Sequence, residues 1–156
     1  MVRVASIDLG SNSTRLLIAD ITNGDLNTIY KEHQVTRMAD KLSESKIISK
    51  DASKRVLKVL ASYFKIINRK NVENIQIVGT AALRDAKNSH EITQLIEKRF
   101  GIEVDIISGE EEGLLTSVGV LNSLGNIKNF LIVDIGGRST EFIYDHDKKI
   151  VSKSLN

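Results

Sequence analysis

Apolar residues alternate, fall into helical spacing, and then alternate again along this 156-residue chain. "VRVASIDLG" (2–10) reads as a buried strand and "STRLLIADI" (13–21) as a second after a short polar turn. "NGDLN" (23–27) is a hairpin signal, which makes "TIYKEHQVTR" (28–37) a third, antiparallel strand. From about 50 to 68 the period changes. Val56, Leu60, Tyr63 and Ile67 recur at helical spacing, with Leu57 and Phe64 beside them. "NIQIVGT" (74–80) predicts a short buried strand. Asn88 with Glu91 predicts a capping box for a helix carrying Ile92, Leu95, Ile96 and Phe100, which Gly101 stops. "IEVDIIS" (102–108) predicts another strand. Ser108 with Glu111 predicts a second capped helix, whose apolar face is Leu114, Leu115, Val118 and Leu121. "NSLGN" (122–126) reads as a linker, followed by strands at 129–135, 139–144 and 149–154, the last two joined by a turn at "DHDKK".

The order through residue 124 is β-β-β-α-β-α-β-α, which implies an α/β domain with a mixed sheet flanked by helices. Residues 1–124 are expected to form that domain. Residues 125–156 are expected to be a linker and the opening strands of an incomplete second one.

The chain repeats itself. With Asp8 set over Asp134, "SIDLGSNSTRLLI" lies over "IVDIGGRSTEFIY" without gaps. Asp8/Asp134, Gly10/Gly136, Ser13/Ser139 and Thr14/Thr140 are identical pairs, and Leu9/Ile135 and Leu17/Ile143 are both apolar. A glycine at such a turn allows close backbone approach and a positive φ. Backbone N–H groups and hydroxyls across Gly10, Ser11, Asn12, Ser13 and Thr14, and across Gly136, Gly137, Ser139 and Thr140, make donor-rich cups suited to phosphate oxygens. Asp8 and Asp134 end the preceding strands. With a phosphate bound they would offer a site for Mg²⁺, with waters completing the shell. Two such hairpins facing each other would grip a phosphate chain from both sides. The plainer alternative is a pair of ordinary β-hairpins. Arg138 takes the place of Asn12, and three readings of it stay open: it points outward, adds charge to the cup, or narrows its mouth.

Composition narrows the field. Charged residues make up 27% and the net charge is +2 with both signs mixed, which argues for neither a nucleic-acid nor a membrane partner. No apolar run approaches the ~20 residues that span a bilayer. Met1 runs straight into a strand, so no signal peptide is expected. Cysteine is absent, which excludes disulfide and thiol chemistry and fits the cytoplasm. His33, His90 and His146 show no metal-ligand spacing. Leu131, Ile132, Val133, Phe142, Ile143, Ile150 and Val151 need cover that the expected fragment lacks, so either a second copy protects this segment as a homodimer or protease cuts it early.

Four stretches, "IDLGSNSTRLLI" (7–18), "VGTAALRDAKN" (78–88), "IISGEEEG" (106–113) and "VDIGGRSTEF" (133–142), resemble the exopolyphosphatase / guanosine pentaphosphate phosphohydrolase family of the actin-like superfamily. The resemblance covers the whole chain. It implies an actin-like (ribonuclease H-like) fold and hydrolysis of terminal phosphoanhydride bonds, with polyphosphate or guanosine pentaphosphate as substrate. It also implies a catalytic glutamate in "SGEEEG". Glu111 has a capping use and Glu110 suits a helix start, so Glu112 is the preferred general base and Glu111 the second candidate. All three serving only the helix N-terminus is the alternative. The resemblance further makes Glu141 a second acid, and Arg84 a phosphate clamp unless it is a surface ion-pair or helix residue. Two departures stand out. Arg138 replaces the third glycine of the family's second phosphate loop, and the family's core is about twice this length. Two rival readings follow: a sugar-kinase-type ATPase on the same fold, or a truncated, non-catalytic phosphate-binding fragment.

Overall fold

The computed structural model describes residues 1–125, 127–147 and 149–155. These form two compact units, Met1–Ile106 and Ile107 onward. The division falls before residue 107, not at the expected 124/125.

The first unit holds a five-stranded mixed sheet in the order β3-β2-β1-β4-β5. β1 (Val2–Leu9), β2 (Ser13–Thr22) and β3 (Asp25–Val35) run antiparallel. β4 (Asn74–Gly79) lies parallel to β1, and the short β5 (Val104–Ile106) parallel to β4. β3 starts earlier than predicted because Asn23 and Gly24 alone make the turn, both left-handed at φ 55° and 90°. One face of the sheet, carrying Ile7, Leu9, Leu16, Ile18 and Ile77, is fully buried. Helix α2 (Lys50–Arg69) presents Val56, Leu60, Tyr63 and Ile67 to this core. Ser49 caps α2 by accepting from Ala52 N–H at 3.1 Å, with Asp51 in the first turn and Arg69 in the last, each matching the helix dipole. Two short helices, α1 (Leu42–Ser45) and α3 (Ala81–Asp85), carry no periodic signal and were not expected.

Helix α4 (Ser89–Phe100) buries Ile92 and Ile96 and ends on left-handed Gly101. Its predicted capping box does not form. Asn88 instead spans to the loop before α2: its Oδ1 accepts from Ile48 N–H at 2.9 Å and its Nδ2 donates to the Ile48 carbonyl at 3.0 Å. A distant backbone pair competes successfully with the local cap. Where β1 begins beside the end of β2, Arg3 makes a bidentate pair with Asp20 (2.7 and 2.9 Å), and those bonds hold the Asp20 carboxyl below its usual range.

The second unit is helix α5 (Gly109–Leu124) against the antiparallel sheet β6-β7-β8 (Leu131–Ile135, Thr140–His146, Lys149–Leu155). Asn126 of the predicted linker and Lys148 of the predicted turn lie outside the described residues. The capping box of Ser108 and Glu111 is present, but of the expected apolar face of α5 only Leu121 turns half-inward. Leu114, Leu115 and Val118 are 41%, 57% and 55% exposed, while Gly109, Gly113 and Ser117 are buried. Small residues every fourth position let the helix backbone approach the sheet closely. A Cβ on Gly113 would overlap Ser152 Oγ and stand 3.1 Å from Ile143 Cγ1. On the sheet Ile143 is fully buried, whereas Leu131, Ile135 and Leu155 are exposed. Among the described residues no helix is long and apolar enough to cross a membrane.

Candidate phosphate-binding turns and carboxylates

The sequence repeat is a structural repeat. Gly10 N–H donates to the Ser13 carbonyl at 3.0 Å, and Gly136 N–H donates to the Ser139 carbonyl at 2.9 Å. Asp8 is in register with Arg15 and Asp134 with Glu141, one pair before each turn closes. Neither glycine has a positive φ, contrary to expectation. Their requirement is close approach: a Cβ on Gly10 would stand 2.9 Å from Ser13 O, and one on Gly136 3.0 Å from Ser139 O. Asn12 and Arg138 also keep ordinary backbone angles.

In the first unit a second segment braces the turn. Thr36 and Arg37 N–H both donate to the Asn12 carbonyl, and Ala39 N–H donates to that of Ser11. Tyr63 Oη donates to the Thr14 carbonyl at 2.9 Å. Thr14 is itself fully buried, its hydroxyl 3.2 Å from that of Thr36, so it faces the core and not the cup. Ser11 and Ser13 are buried and Asn12 is exposed. Asp8, half-buried, lies 3.6 Å from the Arg15 guanidinium. Leu9 and Gly79 are register partners on parallel strands, so the turn and α3, which carries half-buried Arg84, leave the same edge of the sheet. Carboxyl ends of parallel strands are where such sheets hold ligands. A Cβ on Gly79 would overlap Leu83 Cδ1, so glycine there lets α3 fold tightly against its strand.

In the second unit the turn lines a cavity of about 370 Å³ with half-buried Arg138, Ser139, Phe142 and Leu155. Asp134 accepts from Thr116 Oγ1 at 3.0 Å. Glu112 stands one helical turn before Thr116 on α5 and is likewise half-buried. Glu141 is 1% exposed and accepts from Ser154 Oγ at 2.8 Å, which excludes a solvated strand residue. As a cross-strand pair, Asp134 and Glu141 have Cβ atoms about 5 Å apart. Glu111 is committed to its cap: its Oε2 accepts from Ser108 N–H at 2.8 Å while its own N–H donates to Ser108 Oγ at 3.1 Å. The bond from the Ser108 backbone, then that from its side chain, hold the Glu111 carboxyl below its ordinary value. Glu110 is exposed.

Among the described residues no three His, Asp or Glu groups converge on a metal position. Each turn offers one aspartate, a donor set that suits a hard cation sharing its shell with phosphate oxygens and water. Sequence reasoning missed Arg37, Thr116 and Ser154. The spacing of Thr116 from Glu112 was a readable signal, whereas the other two depend on tertiary neighbours.

A sequence model described as the Ppx/GppA phosphatase family matches residues 17–155. A guanosine-5'-triphosphate,3'-diphosphate pyrophosphatase of Vibrio cholerae is 40% identical over 139 residues, covering 89% of this chain and 28% of that protein. A putative exopolyphosphatase of Haemophilus influenzae is 34% identical, over 92% of this chain and 45% of that one. The crystal structure of the Aquifex aeolicus Ppx/GppA family member superposes with a TM-score of 0.86 at 35% identity, over 99% of this chain and 51% of its own. An exopolyphosphatase from Cytophaga hutchinsonii gives a TM-score of 0.91 at 30% identity, over 98% and 50%. The chain spans less than half the length of these curated relatives and about half of the solved structures.

Proposed function

The chain belongs to the Ppx/GppA phosphatase family, and from that premise we propose that it hydrolyses the terminal phosphoanhydride bond of polyphosphate or guanosine pentaphosphate, releasing phosphate. The observation that carries the reading is the doubled turn, with the same Gly-to-Ser hydrogen bond at 3.0 and 2.9 Å in each copy. Each turn supplies neutral N–H donors to phosphate oxygens, and Arg84 supplies a bidentate cationic donor. Asp8 in the first turn and Asp134 in the second would each offer a carboxylate to Mg²⁺, which when bound neutralises charge developing on the phosphate oxygens.

Glu112 takes the proton from the attacking water. Its claim over Glu111 rests on the cap, since a carboxylate bonded to Ser108 N–H and depressed in basicity is a poor proton acceptor. Glu141 is a second acid on the same face of the sheet as Asp134, a metal ligand or a partner in activating water, with Ser154 Oγ donating to it. The test is phosphate release from polyphosphate by the chain and by Glu112→Gln, which should fall by ~10²-fold or more while the thermal midpoint stays put. Unchanged release by Glu112→Gln would remove Glu112 as the base. ADP formation from ATP that depends on an added sugar, with the phosphoryl group ending on the sugar, would favour a kinase. Saturable polyphosphate binding with no release would favour a protein that binds phosphate chains without turning them over.

A further inference from the structure

Arg37 has no assigned role, and the structure sets its backbone directly against the first turn. Thr36 and Arg37 N–H reach the Asn12 carbonyl at 3.0 and 2.8 Å, and Ala39 N–H reaches that of Ser11 at 2.9 Å. From α2, Arg55 holds the carbonyls of the same two residues, Nε donating to that of Thr36 at 2.7 Å and Nη2 to that of Arg37 at 3.1 Å. Arg37 is thereby fixed at φ 49°, a region where Asn or Gly is favoured over a long side chain. Lys41 and Lys46 are also left-handed, but they are the N-cap and C-cap of the four-residue α1. Arg37 ends no helix. It is exposed, it makes no ion pair among the described residues, and it lines an open cavity of about 400 Å³ with Val35, Asp40 and Arg55.

We propose that Arg37 is a specificity-determining residue of the first turn, its guanidinium taking oxygens of the phosphate unit next to the one held by the turn's N–H groups. This rests on the phosphate-binding reading and deepens it. The turn's donors are neutral, and Arg15 already has the Asp8 carboxylate beside it at 3.6 Å. A planar fork of charged donors recognises phosphate in two-point contact, and a neutral turn alone would not distinguish a chain of phosphates from a single one. An unfavourable backbone angle kept at a ligand turn fits a residue held for its side chain.

The experiment is calorimetric titration of the 156-residue chain with inorganic tripolyphosphate and with orthophosphate, at low and high salt. Arg37→Asn removes the charge while suiting the left-handed backbone, and Arg37→Lys keeps the charge without the fork. The expected result is about tenfold weaker tripolyphosphate binding for Arg37→Asn, with shallower salt dependence, little change for orthophosphate and an unchanged or higher thermal midpoint. Arg37→Lys should keep part of the affinity. Tripolyphosphate bound equally by wild type and Arg37→Asn would overturn this inference alone. No binding by the wild type would remove the phosphate-binding reading and the inference with it. Binding lost in both variants together with their fold would also overturn it, by making Arg37 structural.

Discussion

The contact between α5 and its sheet offers a sharp test through Gly113→Ala. In an open helix interior the change stabilises by about 1 kcal/mol, because alanine loses less backbone freedom than glycine. Here the new methyl would overlap Ser152 Oγ, and would stand 3.0 Å from Ser152 Cβ and 3.1 Å from Ile143 Cγ1. The Ser152 hydroxyl is buried with no hydrogen-bond partner among the described residues, so it has no bond to lose on rotating. Its Cβ and Ile143 cannot yield without moving β7 or β8. Overpacking of this kind costs about 1–3 kcal/mol, which outweighs the propensity gain. The net expectation is a loss of about 1 kcal/mol.

Ser152→Ala separates the causes. It deletes an unsatisfied buried hydroxyl, a change that is neutral to stabilising, and it removes the worst overlap. The double variant should recover at least half of the Gly113→Ala loss, a coupling of about 0.5 kcal/mol or more. Urea unfolding followed by circular dichroism gives the midpoints. Hydrogen exchange at α5, β7 and β8 amides localises the effect to the second unit, which matters because two units need not unfold as one. A Gly113→Ala protein stabilised by the full helical increment, with no coupling to Ser152, would refute the close approach.

The remaining predictions concern the caps and turns. Glu111 has a depressed carboxyl, so its contribution is present above its ordinary value of 4.5 and is lost as pH falls through the lower folded value. Glu111→Gln should therefore lower the thermal midpoint near neutrality and flatten its fall in acid, as calorimetry across that range would read. Tyr63→Phe leaves the Thr14 carbonyl without its buried donor, and should cost about 1 kcal/mol in urea and weaken tripolyphosphate binding at the turn it braces. Arg138→Gly should weaken tripolyphosphate binding and its salt dependence, since Arg138 walls the second turn's cavity. A rise in affinity would mean that the side chain obstructs the turn.

Several elements were legible because each has a local cause. Strands β1, β2 and β4 follow from apolar runs, α2 from period, and the start of α5 from Ser108 and Glu111. Asn88 shows where local reasoning stops. Its side chain suits a cap, yet Ile48, 40 residues away, offers both a donor and an acceptor. Arg37 was illegible for the same reason, since its neighbours Asn12 and Arg55 arrive from other elements. The two turns were readable as a repeat but misjudged in detail: their glycines answer to the Ser13 and Ser139 carbonyls and not to a left-handed angle.

Helix α5 carries the deeper lesson, because its period was read correctly and its packed side was not. Leu114, Leu115 and Val118 form a clear apolar stripe, and a stripe normally marks the buried face. Gly109, Gly113 and Ser117 form a second stripe at the same spacing, one that hydropathy does not count. Against a sheet presenting Ile143 and Ser152, the small stripe packs because backbone and strand can come together without side chains between them. The choice also rotates the helix so that Glu112 and Thr116 turn half-inward and Thr116 meets Asp134 at 3.0 Å. With the leucines on the sheet instead, that hydrogen bond would be lost and Glu112 would be carried away from Asp134. The glycines of α5 thus set the angular position of the proposed base, and their replacement by larger residues should disturb turnover as well as stability.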